Sequence, residues 1–231
     1  MRTVVLFTLI IILIVILIPL LLFCFLTRLS QPIIFLGKIA LRLGQKILGI
    51  SLDVRGVEKI DKKSSYVFMA NHLSFMDGPL LFMIIPQSVR VLLKKEAFRI
   101  PILGLAMRQI GFIPVDRKGL KGGRKSIEKA AYLIKEKGYS FLIFPEGTRS
   151  RNGLLQPFKR GGFFIAVNTQ APIFPVSIKG TYELMPPKSF FVKRGKVKVT
   201  FHEPVQVRGY DRNNLPELID EVRSFIQTGL A

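Results

Sequence analysis

Between Arg2 and Arg28 the chain carries no charged side chain, and the run is almost wholly Leu, Ile, Val and Phe. Such a stretch is long enough to cross a bilayer core of roughly 30 Å, so it cannot be treated as part of an ordinary soluble core. A cleaved signal peptide would need a shorter apolar run and a small-residue cleavage site. Phe23-Cys24-Phe25-Leu26 offers none. The single cysteine, Cys24, lies inside the run. That excludes a disulfide framework, a thiolate metal cluster and a cysteine nucleophile.

Gln31 to Ile50 then reads as an amphipathic helix. Ile33, Ile34, Leu36, Ile39, Leu41, Leu43, Ile47 and Leu48 are apolar, while Lys38, Arg42, Gln45 and Lys46 crowd one side. Pro19 can kink the first segment and Gln31-Pro32 starts the second. The pair is therefore either a span followed by an interfacial helix or a hairpin dipping into one leaflet. In the spanning case Arg28, Lys38, Arg42 and Lys46 outweigh Arg2 and the amino terminus. That places the remainder on the cytoplasmic side, and the hairpin places it there too. Residues 1–50 are thus expected to form a membrane anchor and 51–231 one catalytic domain.

Lysine and arginine outnumber aspartate and glutamate by 35 to 15, for a formal charge of +20. A polyanionic partner follows, and the apolar head favours membrane lipid or a phosphorylated small molecule over nucleic acid. Beyond residue 50, short apolar runs at 52–57, 66–70, 89–93, 112–115, 140–144, 173–178 and 196–201 read as strands. Helical patterns at 75–84, 102–110, 119–136, 161–168 and 215–227 fall between them. The alternation predicts a single α/β domain with a largely parallel or mixed sheet flanked by helices.

Two clusters carry chemistry. His72, one of two histidines, sits in Asn71-His72-Leu73-Ser74-Phe75-Met76-Asp77 just after an expected strand. With Asp77 bonded to one imidazole nitrogen, the other would be free to take a proton from a hydroxyl. The same spacing also fits a structural turn with a solvated aspartate. Ser74 reads as a helix N-cap and not as a nucleophile. The second cluster is Phe144-Pro145-Glu146-Gly147-Thr148-Arg149-Ser150-Arg151, again after an apolar strand. Its glycine allows close backbone approach, and its alternate arginines can fork onto a phosphate. A basic surface turn is the bland alternative. Gly111-Phe112-Ile113-Pro114-Val115-Asp116-Arg117 and Lys94-Lys95-Glu96 are further strand-to-loop junctions of this kind.

These blocks resemble the glycerophospholipid acyltransferase family, and within it the bacterial 1-acylglycerol-3-phosphate acyltransferases. Asn71-His72-x-Ser74-x-x-Asp77, Gly111-Phe112-Ile113-x-x-Asp116-Arg117, Phe144-Pro145-Glu146-Gly147-Thr148-Arg149-Ser150 and Pro172-Ile173-Phe174-Pro175-Val176 occur in the family's order between about residues 50 and 205. The resemblance implies that His72 is a general base and Asp77 its orienting partner. It implies that an acceptor hydroxyl attacks a thioester directly, with no acyl-enzyme, no cofactor and no metal. Arg149, Arg151, Lys94 and Arg117 would gather the acceptor phosphate, with Glu146, Gly147 and Thr148 shaping that pocket. The implied partners are membrane lipids, lysophosphatidic acid, and acyl-coenzyme A or acyl carrier protein. Pro114 departs from the family's usual aromatic or small residue, which bears on acceptor selectivity. Glycerol-3-phosphate or a lyso-aminolipid as acceptor is the nearest rival. A basic membrane-tethered binding protein is the non-enzymatic one. A lipase or thioesterase would need a Gly-x-Ser-x-Gly elbow, which the sequence lacks.

Overall fold

Strand β2 (Val67–Ala70) shows how side-chain alternation sets the layers. Phe68 and Ala70 enter one core while Val67 and Met69 enter the other, and all four are fully buried. The computed structural model describes residues 2–27, 29–115 and 120–231. In it β5 (Ser140–Ile143) and β6 (Ile173–Lys179) flank β2, both parallel to it. Beyond β5 lie β3 (Val89–Lys94) and β4 (Ile113–Val115); beyond β6 lie β7 (Gly195–Phe201) and β1 (Ile50–Arg55). The β6–β7 pair alone is antiparallel, so β1 and β7 run against the other strands of a mixed seven-stranded sheet.

Helices cover both faces. α4 (Leu103–Gln109) leads into β4; α5 (Leu120–Lys137), α6 (Arg160–Thr169) and α8 (Leu215–Thr228) share one core, and α2 (Gln31–Ile47) and α3 (Asp77–Ile84) border the other. In α8 the buried residues are Leu215, Leu218, Val222 and Ile226, the three-and-four spacing of a single apolar stripe. On the α3 side Phe68, Phe174 and Phe201 pack as an aromatic cluster with centroids 5.5–6.4 Å apart. All seven expected strands form, and so do the five expected helices of the body, with ends shifted by a residue or two. A one-turn helix, α7 (Thr181–Leu184), was not expected. Gly180, at φ 99°, turns β6 into it, where a Cβ would strike the Lys196 carbonyl oxygen.

The apolar head forms α1 (Arg2–Leu26), with Pro19 inside it. It runs antiparallel to α2, Leu6 lying where Gly44 leaves room. The expected transmembrane span is not what the structure supports. Among the described residues no helix is long and apolar enough to cross a membrane. The basic side expected of α2 also needs correction, because Lys38 points inward. Its ammonium donates to the carbonyls of Ile85 (2.6 Å) and Gln87 (3.1 Å), just past the C-terminal end of α3, where the helix dipole favours a cation. Burial, with Arg42 nearby, lowers its pKa to about 8. Gln45 is likewise used internally, bonding the Ile50 carbonyl. Lys38 and Gln45 thus tie the hairpin to the body.

The second histidine is structural. Ser177 gives its hydroxyl proton to the Ile226 carbonyl (2.8 Å), so the 2.7 Å contact with His202 Nε2 must use the imidazole N–H. This joins β6 and the end of β7 to α8. Burial, and then the charge of Lys59, hold the His202 pKa below its ordinary value. A histidine kept neutral in the fold contributes stability above the ordinary value of about 6.5 and loses it as pH falls through the depressed one. His202→Gln should therefore lower the melting temperature at pH 8, and its deficit relative to the parent should shrink as the pH drops below about 6.5. Thermal melts of both proteins across that range check this; a constant deficit would refute the buried neutral imidazole.

Candidate active site

Where β2 ends, the backbone donors of the following loop have no strand partner, and two buried carboxylates take them. Asp77 Oδ2 accepts from the N–H groups of Leu73 and Ser74, both at 2.7 Å, and contacts His72 Nδ1 at 2.9 Å. A carboxylate only accepts, so Nδ1 carries the proton and Nε2 presents its lone pair. Asp77 is fully buried, whereas the His72 side chain keeps 20% exposure. The ring lies flat on Phe144, centroids 4.1 Å apart and planes inclined by 20°. A bond at one edge and a stacked face leave the imidazole little freedom to turn.

Glu146 is the second carboxylate. Its Oε1 accepts the His72 N–H at 2.6 Å and its Oε2 the Gln156 N–H at 2.9 Å. At 2% exposure its burial raises the carboxyl pKa, while the two backbone N–H groups pull it back down. Glu146 thus grips the main chain of the histidine, with both oxygens turned from the solvent. The His72 carbonyl in turn accepts from Ser150 N–H at 2.8 Å. Asn71 fixes the preceding residue to β6, its amide exchanging two 2.8 Å bonds with the backbone of Ile178. His72 is thereby held by two neighbouring strands and by the loop after β5.

That loop turns tightly, Gly147 N–H donating to the Phe144 carbonyl at 3.0 Å. Gly147 has φ 75°, a conformation that favours glycine, and a Cβ there would press on the Lys159 side chain at 3.0–3.1 Å. Thr148, Arg149 and Arg151 lie exposed along it. Tyr182, just inside α7, donates its hydroxyl to the Arg151 carbonyl at 2.9 Å and fixes the outgoing limb. Neither arginine has a carboxylate partner among the described residues.

Of the residues expected to form a site, His72, Asp77, Glu146, Gly147, Thr148, Arg149 and Arg151 come together at the carboxyl ends of β2 and β5, the usual position of a ligand crevice in an open α/β sheet. Lys94 ends β3 at the same edge of the sheet, but it is exposed and paired with Glu96 at 3.6 Å. Arg117 and its neighbour Asp116 lie outside the described residues. Ser74 does not cap α3. Met76 holds the N-cap position, and the Ser74 hydroxyl accepts from Met76 N–H while donating to the Met185 carbonyl. Sequence reasoning missed the grip of Glu146 on the backbone, the Phe144 stack and the approach of Lys159. The first two involve residues already singled out in their blocks. Nothing local marks Lys159, which arrives from the start of α6.

Comparison with known proteins shows what the chain is similar to. The family model described as Acyltransferase matches residues 51–179. The chain is 36% identical over 155 residues to the chloroplastic 1-acyl-sn-glycerol-3-phosphate acyltransferase BAT2 of Brassica napus, covering 66% of this chain and 44% of that protein. It is 31% identical over 183 residues to the alpha form of that enzyme from Mus musculus, covering 79% and 64%. The match thus spans about half the length of these curated relatives. The crystal structure of the 1-acyl-sn-glycerophosphate (LPA) acyltransferase PlsC from Thermotoga maritima superposes with a TM-score of 0.81 at 30% identity, covering 99% of this chain and 92% of that one. With one family model over more than half its length and one solved fold over nearly all of it, the chain belongs to the acyltransferase family.

Proposed function

We propose that this chain transfers a fatty acyl group from a thioester, acyl-coenzyme A or acyl carrier protein, to the sn-2 hydroxyl of 1-acylglycerol-3-phosphate, making phosphatidic acid. The observation that carries the reading is His72, with Nδ1 bound to buried Asp77 and the side chain still partly exposed, in a chain of this family. Nε2 takes the acceptor's proton as its oxygen bonds the thioester carbonyl carbon. The tetrahedral intermediate then expels the thiolate, which recovers the proton from the imidazolium. Asp77 keeps the tautomer and stabilises the transient charge.

Arg149 and Arg151, open on the loop beside His72, are proposed to hold the acceptor phosphate, with Lys94 and Arg117 adding charge from neighbouring junctions. The apolar helix α1 and its partner α2 are proposed to embed in the cytoplasmic leaflet. Most of the described apolar side chains of α1 point outward, among them Phe7, Ile11, Val15 and Phe23, a surface that a bilayer would cover. Both acceptor and product carry acyl chains, so embedding keeps the enzyme where its substrate resides.

His72→Ala should lower turnover by about 10²–10⁴-fold while the fold survives, as initial rates and circular dichroism would report. Near-normal turnover in a folded variant would reject the mechanism. Arg149→Ala should raise the Michaelis constant for lysophosphatidate about tenfold to hundredfold with a smaller effect on the donor. Arg149→Lys should restore part of the loss. A panel of lysolipids checks the acceptor assignment. Equal reaction of acceptors lacking a phosphate monoester, with no effect of either substitution, would point to a different acceptor. Glu146→Gln keeps one acceptor oxygen and leaves one buried backbone N–H facing an amide. It should reduce kcat by about tenfold or more while leaving the acceptor Michaelis constant nearly unchanged. A raised Michaelis constant at constant kcat would instead make Glu146 part of the phosphate pocket.

A further inference from the structure

The connection from α7 to β7 carries two of the most exposed aromatic side chains in the described chain. Phe190 is 79% and Phe191 69% exposed. This is not a loose loop. Ser189 N–H bonds the Pro186 carbonyl at 3.0 Å, and the Ser189 hydroxyl bonds the backbone N–H and carbonyl of Phe191. Lys188 at the bend has φ 78°, unusual for a residue with a side chain. Both ends are fixed, since Lys193 N–H reaches the Leu184 carbonyl at 2.9 Å and Val192 packs on the core. Local bonds thus hold two adjacent phenylalanines in water, where each costs free energy unless something covers it.

Three cations flank the pair. Lys188, Lys193 and Arg194 are all exposed, and none has a carboxylate partner among the described residues. The loop's position adds a second argument. β7 runs antiparallel to β6, so its start lies at the edge where β6 ends, the edge that also carries His72. The Ser74 hydroxyl bonds the Met185 carbonyl at the foot of the loop, and Phe75 beside it is 64% exposed. On the other side Gly195 N–H bonds the carbonyl of Gly49, just after α2, at 3.2 Å. The aromatic pair therefore stands between the candidate active site and the foot of the apolar hairpin.

We propose that this loop is a second membrane-docking element, Phe190 and Phe191 entering the interface of an anionic bilayer while Lys188, Lys193 and Arg194 meet its headgroups. Aromatic rings at headgroup depth with adjoining cations form the composition expected of an interfacial anchor. Two footholds fix an orientation that one hairpin leaves free to pivot. The loop would hold the His72 edge against the surface that supplies a lipid acceptor. The inference rests on the proposed attachment through α1 and α2, and the test separates the two.

The sequence contains no tryptophan, so one introduced residue reports alone. F190W and, in a separate full-length protein, F25W on the apolar helix are reconstituted into vesicles containing phosphatidylglycerol. Some of their lipids are brominated in the upper part of the acyl chain. Y132W on the exposed side of α5 sets the unquenched baseline. Quenching of both F190W and F25W is expected, with F190W weakening in purely phosphatidylcholine vesicles. Quenching of F25W alone overturns the loop proposal and leaves the hairpin anchor standing. Quenching of F190W alone supports the loop and overturns the anchor; quenching of neither overturns both. Equal F190W quenching in charged and uncharged vesicles would remove the role given to the cations. An F190S/F191S variant should lose about tenfold or more of its activity on vesicle-embedded lysophosphatidate and none on dispersed short-chain acceptor. Equal loss on both would assign the pair to the enzyme's interior workings instead.

Discussion

The hydrogen bond from the His72 N–H to the Glu146 carboxylate joins the two sequence blocks that carry the chemistry, and the rest of the site depends on it. A strand that stops inside a protein leaves backbone donors without partners, and an unpaired buried donor costs about 1–3 kcal/mol. After β2 three such donors in succession are taken by Asp77 and Glu146. A buried carboxylate is itself unfavourable without donors: burial raises the Glu146 pKa and its two backbone N–H bonds offset part of that. Each group therefore needs the other, and the geometry that satisfies both fixes the imidazole. Positioning of the ring is a consequence of solving a backbone problem at the sheet edge.

Much of this architecture was legible in the chain because burial on two faces leaves a strong mark. Runs such as Val67-Phe68-Met69-Ala70 and Phe141-Leu142-Ile143, bounded by polar turns, have few other solutions in a body of this size. The pairing of His72 with Asp77 was one of two open readings, and the family blocks told which residues to watch. What could not be read concerns side chains whose direction is set by distant partners. Lys38 belongs by periodicity to a basic helical side, yet it points at carbonyls that follow α3. Arg90 is almost wholly buried within β3, lying 3.9 Å over the Tyr139 ring, where composition alone would put an arginine in solvent. The family resemblance implies a pocket wall at Glu146, whose two oxygens each accept from a backbone N–H. In each case the partner is remote in sequence, and no local period reports it.

Strand direction explains why the functional features gather at one edge. The carboxyl ends of β2, β5, β3 and β6 point the same way, bringing His72, the Glu146 turn, Lys94 and α7 to a single rim. Because β7 and β1 are reversed, their amino ends reach that rim as well, carrying the Phe190–Phe191 loop and the junction with α2. An all-parallel sheet would have sent both to the far side. The single antiparallel pairing between β6 and β7 is what lets one surface serve the chemistry and the proposed membrane contact.

The same rim bears on the direct transfer proposed above. A covalent acyl-enzyme would need a hydroxyl within reach of His72 Nε2 and free to ionise. Ser74 is the nearest hydroxyl in sequence, but its proton is committed to the Met185 carbonyl and its oxygen accepts from Met76 N–H. It is fully buried, so acylating it would break both bonds with no solvent to replace them. Ser150 is equally buried and gives its hydroxyl to Asn152. Neither serine beside the imidazole is thus free to carry an acyl group. Under the proposed mechanism the imidazole would activate a hydroxyl that arrives with the substrate, and an alcohol anchored through its phosphate to the neighbouring arginine loop would meet that requirement.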